Sequence, residues 1–150
     1  MTAQLFLERP FALAAKIESD KMELAELRQM ATGLGSPGLG AMHNPNTPTE
    51  ANFTKAVEKI DKLEKLIDAE IARMATIKDE IRDAVDQIDN EDEKKALRFR
   101  YLHLQSLSEV TVNMGCGERW TRTLIRRGER SVDVYLASKA SSQQTMQNGG

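Results

Sequence analysis

The apolar positions of this 150-residue chain fall into helical rhythms interrupted by one stretch rich in glycine and proline. Leu13, Ile17, Leu24, Leu27 and Ala31 step by threes and fours, with Asp20 the one polar intruder. This spacing predicts an amphipathic helix of roughly five or six turns that ends near Thr32. The segment GLGSPGLGAMHNPNTP then carries glycines at 33, 35, 38 and 40 and prolines at 37, 45 and 48, which predicts a flexible loop over 33–47. Thr47, Pro48, Thr49 and Glu50 read as a capping box with proline at the first helical position, so a second helix starts there.

From Phe53 the a and d positions of a heptad repeat read Phe53, Ala56, Ile60, Leu63, Ile67, Glu70, Met74, Ile77, Ile81, Ala84 and Ile88, broken only by Glu70. At about 1.5 Å per residue the rod is roughly 50 Å long, and so narrow a stripe requires a partner helix. The loop length lets the first helix fold back antiparallel as a hairpin, and Val57, Ile71 and Val85 widen the stripe at e positions, which favours a second packing partner and hence a dimer. Asp20 and Glu70 either set register and subunit number or sit in a layer that solvent reaches.

A third block opens with Asn90 as N-cap and Glu93 three residues on, and continues through Ala96, Leu97, Phe99, Tyr101 and Leu102. SLSEVTVNMGCGERWTRTLIRR, residues 106–127, then reads as a helix, a glycine corner and a second helix. Ser106 and Glu109 form a capping box, Val110 and Met114 face inward, Gly115 takes the left-handed conformation that ends a helix, and Gly117 caps the next. Thr121, Leu124 and Ile125 face inward on that next helix, opposite a largely cationic side. The helix continues through Val132, Val134 and Leu136, weakened at Gly128, and the tail 139–150 is polar and reads as disordered. The chain is thus expected to be all-α: a helical hairpin or antiparallel coiled coil over 1–89, then a trihelical helix-turn-helix unit over 90–138.

Composition adds an asymmetry. The net charge is −2, yet residues 1–92 hold 11 basic against 18 acidic side chains and residues 93–150 hold 10 against 5. The two ends therefore face different partners. With 40% apolar and 29% charged residues the chain is globular, and no apolar run approaches the length of a membrane span. The single Cys116 cannot form an internal disulfide and fits a reducing cytoplasm. His103 and Cys116 have no companion ligands, so no metal or cofactor is expected; without a phosphate-binding glycine loop or a nucleophile with its base, neither is catalysis.

The cationic side points to a phosphate backbone. Arg119 and Arg122 are the candidates for guanine edges and Glu118 for a cytosine amine, while Thr123, Arg126, Arg127 and Arg130 are placed on phosphate. Trp120 reads as a packing residue, with stacking on nucleic acid as the alternative.

The segment ALRFRYLHLQSLSEVTVNMGCGERWTRTL resembles the helix-turn-helix of sigma-70 region 4. Glu109 and Val110 match its acidic-aliphatic pair, Met114 and Gly115 its turn, Arg119 and Arg122 its recognition arginines, and Leu124 its inward aliphatic. Three positions depart from the pattern: Thr111 for a small alanine, Gly117 for a capping serine, and Thr121 for a core valine. Joined to an acidic hairpin, the unit is similar to phage and prophage late transcriptional regulators of the RinA and ArpU type. That resemblance implies a sequence-specific duplex-DNA-binding regulator in the cytoplasm of a bacterial host, acting as a dimer at a promoter or beside RNA polymerase. The alternative is a coiled-coil interaction protein of phage DNA packaging, of small-terminase or scaffold kind.

Overall fold

The computed structural model describes residues 1–35 and 50–148, and these are all-α: α1 (Ala3–Gly35), α2 (Glu50–Asp86), α3 (Glu91–Leu97), a π-helical turn (Arg98–Leu102), α4 (Leu107–Met114) and α5 (Glu118–Asn148). Residues 36–47 of the expected loop, and Thr47, Pro48 and Thr49 of the expected cap, lie outside the described residues; Glu50 is the first residue of α2.

Helix α1 begins at Ala3, ten residues before the expected start at Leu13. Thr2 is its N-cap, its Oγ1 accepting from Leu5 N at 3.3 Å. The core stripe also starts earlier, at Ala3, Phe6, Leu7 and Pro10, spaced i, i+3, i+4 and i+7 and all buried. Pro10 sits inside the helix, where its missing N–H orphans the carbonyl of Phe6. Arg9 Nε replaces that donor at 2.9 Å. At the other end Gly33 and Gly35 belong to the helix, not to the loop.

The chain divides into two compact units, residues 13–73 and residues 1–12 with 74–150, so the boundary expected between 89 and 90 does not separate them. In the first, α1 and α2 run antiparallel, as the ion pairs Lys16–Glu70 (3.4 Å) and Arg28–Glu64 (2.7 Å) show. Ile17, Leu24, Ala31 and Ile67 form its buried seam. Phe53, expected in that seam, is 41% exposed, and Val57, Leu66 and Ile71 stand open as well. Glu70 is only 5% exposed and neither of its oxygens is hydrogen-bonded among the described residues. Burial first, then the neighbouring Asp20 carboxyl, raises its pKa against the opposing pull of Lys16.

In the second unit the start of α1 and the end of α2 pack with the shorter helices and α5. Ile81, Ala84, Val85, Ala96, Leu97, Val110 and Val132 are fully buried, and Leu124 nearly so. Asp133 Oδ1 accepts from Ala3 N at 2.7 Å, satisfying an orphan donor at the start of α1 from the far end of the sequence. Arg9 pairs with Glu80 at 2.7 Å. Helix α5 runs uninterrupted through Gly128. An added Cβ there would lie 2.7 Å from Leu97 Cγ, so the missing side chain is what lets α3 and α5 approach. Finally, the tail expected to be disordered from residue 139 continues α5 to Asn148.

Candidate nucleic-acid interface

The corner between α4 and α5 forms as its residues require. Ser106 Oγ accepts from Glu109 N at 3.2 Å, and Gly115 ends α4 in the left-handed region at φ 69°. Asn90 likewise caps α3, its Oδ1 accepting from Glu93 N at 3.0 Å. The departures from the sigma-like pattern are absorbed locally. Thr111 Oγ1 donates to Leu107 O at 2.8 Å, and the buried Thr121 donates to Gly117 O at 3.0 Å, so neither hydroxyl is stranded in the core.

With Thr121, Leu124, Ile125 and Gly128 turned inward, α5 must present the intervening positions to solvent. Glu118, Arg119, Arg122, Arg126, Arg127 and Arg130 are all exposed, and Thr123 is half-buried. Arg119, Arg126 and Arg130 form no ion pair among the described residues. Arg122 pairs with Glu118 one turn back at 2.7 Å, an exposed contact of about 0.3–0.5 kcal/mol that a stronger anion displaces. Thr123 spends its hydroxyl proton on Arg119 O at 3.1 Å, leaving oxygen lone pairs as its polar offering.

Three of the expected residues share one depression. Arg119, Arg122 and Arg126 border a depression of about 520 Å³, together with Arg100, Tyr101, Leu107, Ile125 and Glu129. Arg127 lies on the other flank, its guanidinium 5.2 Å from the ring centre of Trp120. Trp120 is 46% exposed, so the packing role expected of it is filled by one arginine rather than by the core.

Arg100 was not foreseen in this group. The support helix ends in a π turn, with His103 N donating to Arg98 O at 3.1 Å, five residues back. Such a turn rotates the residues it contains away from their α-helical bearing. Beside Arg100, the Tyr101 hydroxyl donates to Glu129 Oε1 at 2.6 Å. Burial first, and then the Glu129 carboxylate, pushes the Tyr101 pKa up, so the phenol stays a donor. No group of three or more His, Cys, Asp or Glu suited to a metal ion is assembled among the described residues, and no described helix is long and apolar enough to cross a membrane.

No protein-family model, curated protein or solved structure matches this chain.

Proposed function

We propose that this protein is a duplex-DNA-binding regulator, of the kind that controls late transcription in phages and prophages, and that it acts by binding rather than by catalysis. The observation that carries the reading is α5: a helix entered through a left-handed glycine corner, held by a buried inner face, and offering five exposed arginines over its first four turns. In a helix-turn-helix the first turns of such a helix enter the major groove. Arg119, with no ion-pair partner among the described residues, and Arg122, with only a weak one, are placed for base edges. Arg126 and Arg130 follow on the same outward side, for phosphate. The hairpin supplies the second half of the reading. Val57, Leu66 and Ile71 extend its seam outward, which suits a second copy of the chain as the covering partner and would bring two basic units to one site. RNA polymerase is a further partner in this reading.

Duplex binding measured over a salt series on the promoter-proximal DNA of the native locus tests it. Arg119→Ala is expected to relax sequence preference by about 1–3 kcal/mol, while Arg126→Ala weakens all duplexes alike and lowers the salt slope by about 1. A wild-type chain with no salt-dependent duplex affinity removes the reading. If that chain is still dimeric by light scattering, the exposed apolar positions of the hairpin favour the packaging or scaffold role instead.

A further inference from the structure

The depression beside α5 is more than the edge of a recognition helix, because a residue outside that helix closes it. Four arginines, Arg100, Arg119, Arg122 and Arg126, border it against one carboxylate, Glu129. That carboxylate is already engaged by the Tyr101 hydroxyl at 2.6 Å, so part of its hydrogen-bonding capacity is directed away from the guanidiniums. We infer that this depression is a phosphate-oxyanion site for the backbone of a duplex, and that Arg100 is its preset member.

Three restraints hold Arg100. Its Nη1 donates to Gln105 O at 2.6 Å, its guanidinium lies 4.6 Å from the ring centre of Phe11, and its backbone belongs to the π turn. The Gln105 carbonyl is reached through Leu104, which takes φ 53°, in the left-handed region that a branched side chain rarely adopts. Gln105 is itself tied down by Asn113 Nδ2 donating to its Oε1 at 2.7 Å. A π turn and a left-handed leucine within seven consecutive positions are conformational costs of the type that collects at binding sites. Their joint effect is to fix the one guanidinium that α5 does not carry.

A guanidinium has five N–H donors, and a single bond to Gln105 leaves others for a ligand. Arg119, Arg122 and Arg126 sit on the exposed surface of α5 and must be ordered by whatever they bind; Arg100 is ordered beforehand. Phosphate oxygens accept from several guanidiniums at once, so Arg100 and Arg126 can hold one while Arg119 and Arg122 remain for base edges. A backbone phosphate seated there fixes the depth and angle at which α5 meets the groove, without itself reading sequence.

This inference rests on the duplex reading above, and the test separates the two. The full chain is titrated with duplexes of unrelated sequence over a salt series, and in parallel with tripolyphosphate while the arginine Nε–Hε resonances are followed by NMR. Arg100→Gln is the main variant, since glutamine can still donate to the Gln105 carbonyl; Arg100→Lys, which keeps the charge, is the second, and thermal melts check both. Expected are a salt slope lower by about 0.9 for Arg100→Gln on every duplex, a largely retained slope with weaker binding for Arg100→Lys, and a tripolyphosphate-dependent shift of the Arg100 resonance. Wild-type affinity and slope in a folded Arg100→Gln chain, with no resonance shift, overturn the site while leaving the regulator intact. A shifted Arg100 resonance in a chain that binds no duplex keeps the oxyanion site and removes the regulator. If Arg100→Gln does not fold, a slope and affinity unchanged in Arg100→Lys, with no resonance shift in the wild type, overturn it equally.

Discussion

The two compact units are built from the same two long helices, yet they bury them to very different extents. Among the described residues of 13–73 the elements are α1 and α2, and a pair of helices covers one narrow stripe of each. Ile17, Leu24, Ala31 and Ile67 are inside, while Met22, Met30, Phe53, Val57, Leu66 and Ile71 are left largely open. In the other unit the remaining turns of the same helices meet α3, α4 and α5, and the stripe of α2 is buried across a, d and e positions together, at Ile81, Ala84 and Val85. Buried side-chain oxygens follow the same division. Neither oxygen of the buried Glu70 is hydrogen-bonded among the described residues of the hairpin, whereas the hydroxyls of Thr121 and Tyr101, buried in the other unit, are both bonded.

Paired truncations give this contrast its hardest test. Ile81→Ala removes a fully buried side chain and is expected to lose about 2–5 kcal/mol of unfolding free energy, enough to melt the unit that carries α5. Leu66→Ala, at 43% exposure, should stay within about 0.5 kcal/mol in the monomer, and its larger effect should be on self-association measured by light scattering. Equal losses in denaturant titrations would mean that the hairpin is as closed as its neighbour.

A smaller effect comes from Gly128→Ala. Alanine gains about 1 kcal/mol in helix propensity, but its Cβ would sit 2.7 Å from Leu97 Cγ and 2.8 Å from its Cδ1, and overpacking of a fully buried leucine costs about 1–3 kcal/mol. Net destabilisation is expected, and Leu97→Ala in the same chain should relieve part of it. Strict additivity of the two changes would show that α3 and α5 do not meet at this point.

The gentlest probe is pH, and it acts on the hairpin. The folded-state pKa of Glu70 is raised by burial and by Asp20, so its contribution to stability is fully present below the ordinary glutamate range and is lost as pH rises through the elevated value. The hairpin should therefore be more stable below the ordinary glutamate range than at neutral pH. Glu70→Gln should raise the melting temperature at neutral pH and flatten this dependence, read by circular dichroism across the acid range. An unchanged pH profile in the variant would assign the dependence elsewhere.

Much of the architecture is readable without coordinates, because helix rhythm, caps and corners depend on residues three or four apart. Asn90 over Glu93, Ser106 over Glu109 and the left-handed Gly115 stand where their local chemistry places them. The start of α1 was equally local: Thr2 followed by the i, i+3, i+4, i+7 spacing of Ala3, Phe6, Leu7 and Pro10 is a helix signal. Proline normally weakens such a signal, and here its consequence is offset by Arg9 reaching the Phe6 carbonyl. The seven expected interface residues fare according to the same rule. Their outward placement follows from the period of α5, whereas the depression shared by Arg119, Arg122 and Arg126 depends on Arg100 and Tyr101 from outside that helix.

By itself, then, the sequence determined the helices, the glycine corner and the outward row of arginines, since these are decided within a turn or two of chain. Tertiary structure alone decided that Asp133 caps Ala3 across 130 positions, that Gly128 clears space for Leu97, and that a π turn carries Arg100 to the side of Arg119, Arg122 and Arg126. Those contacts exist only after distant segments pack, and close packing, rather than propensity, selects the one residue or backbone state that fits.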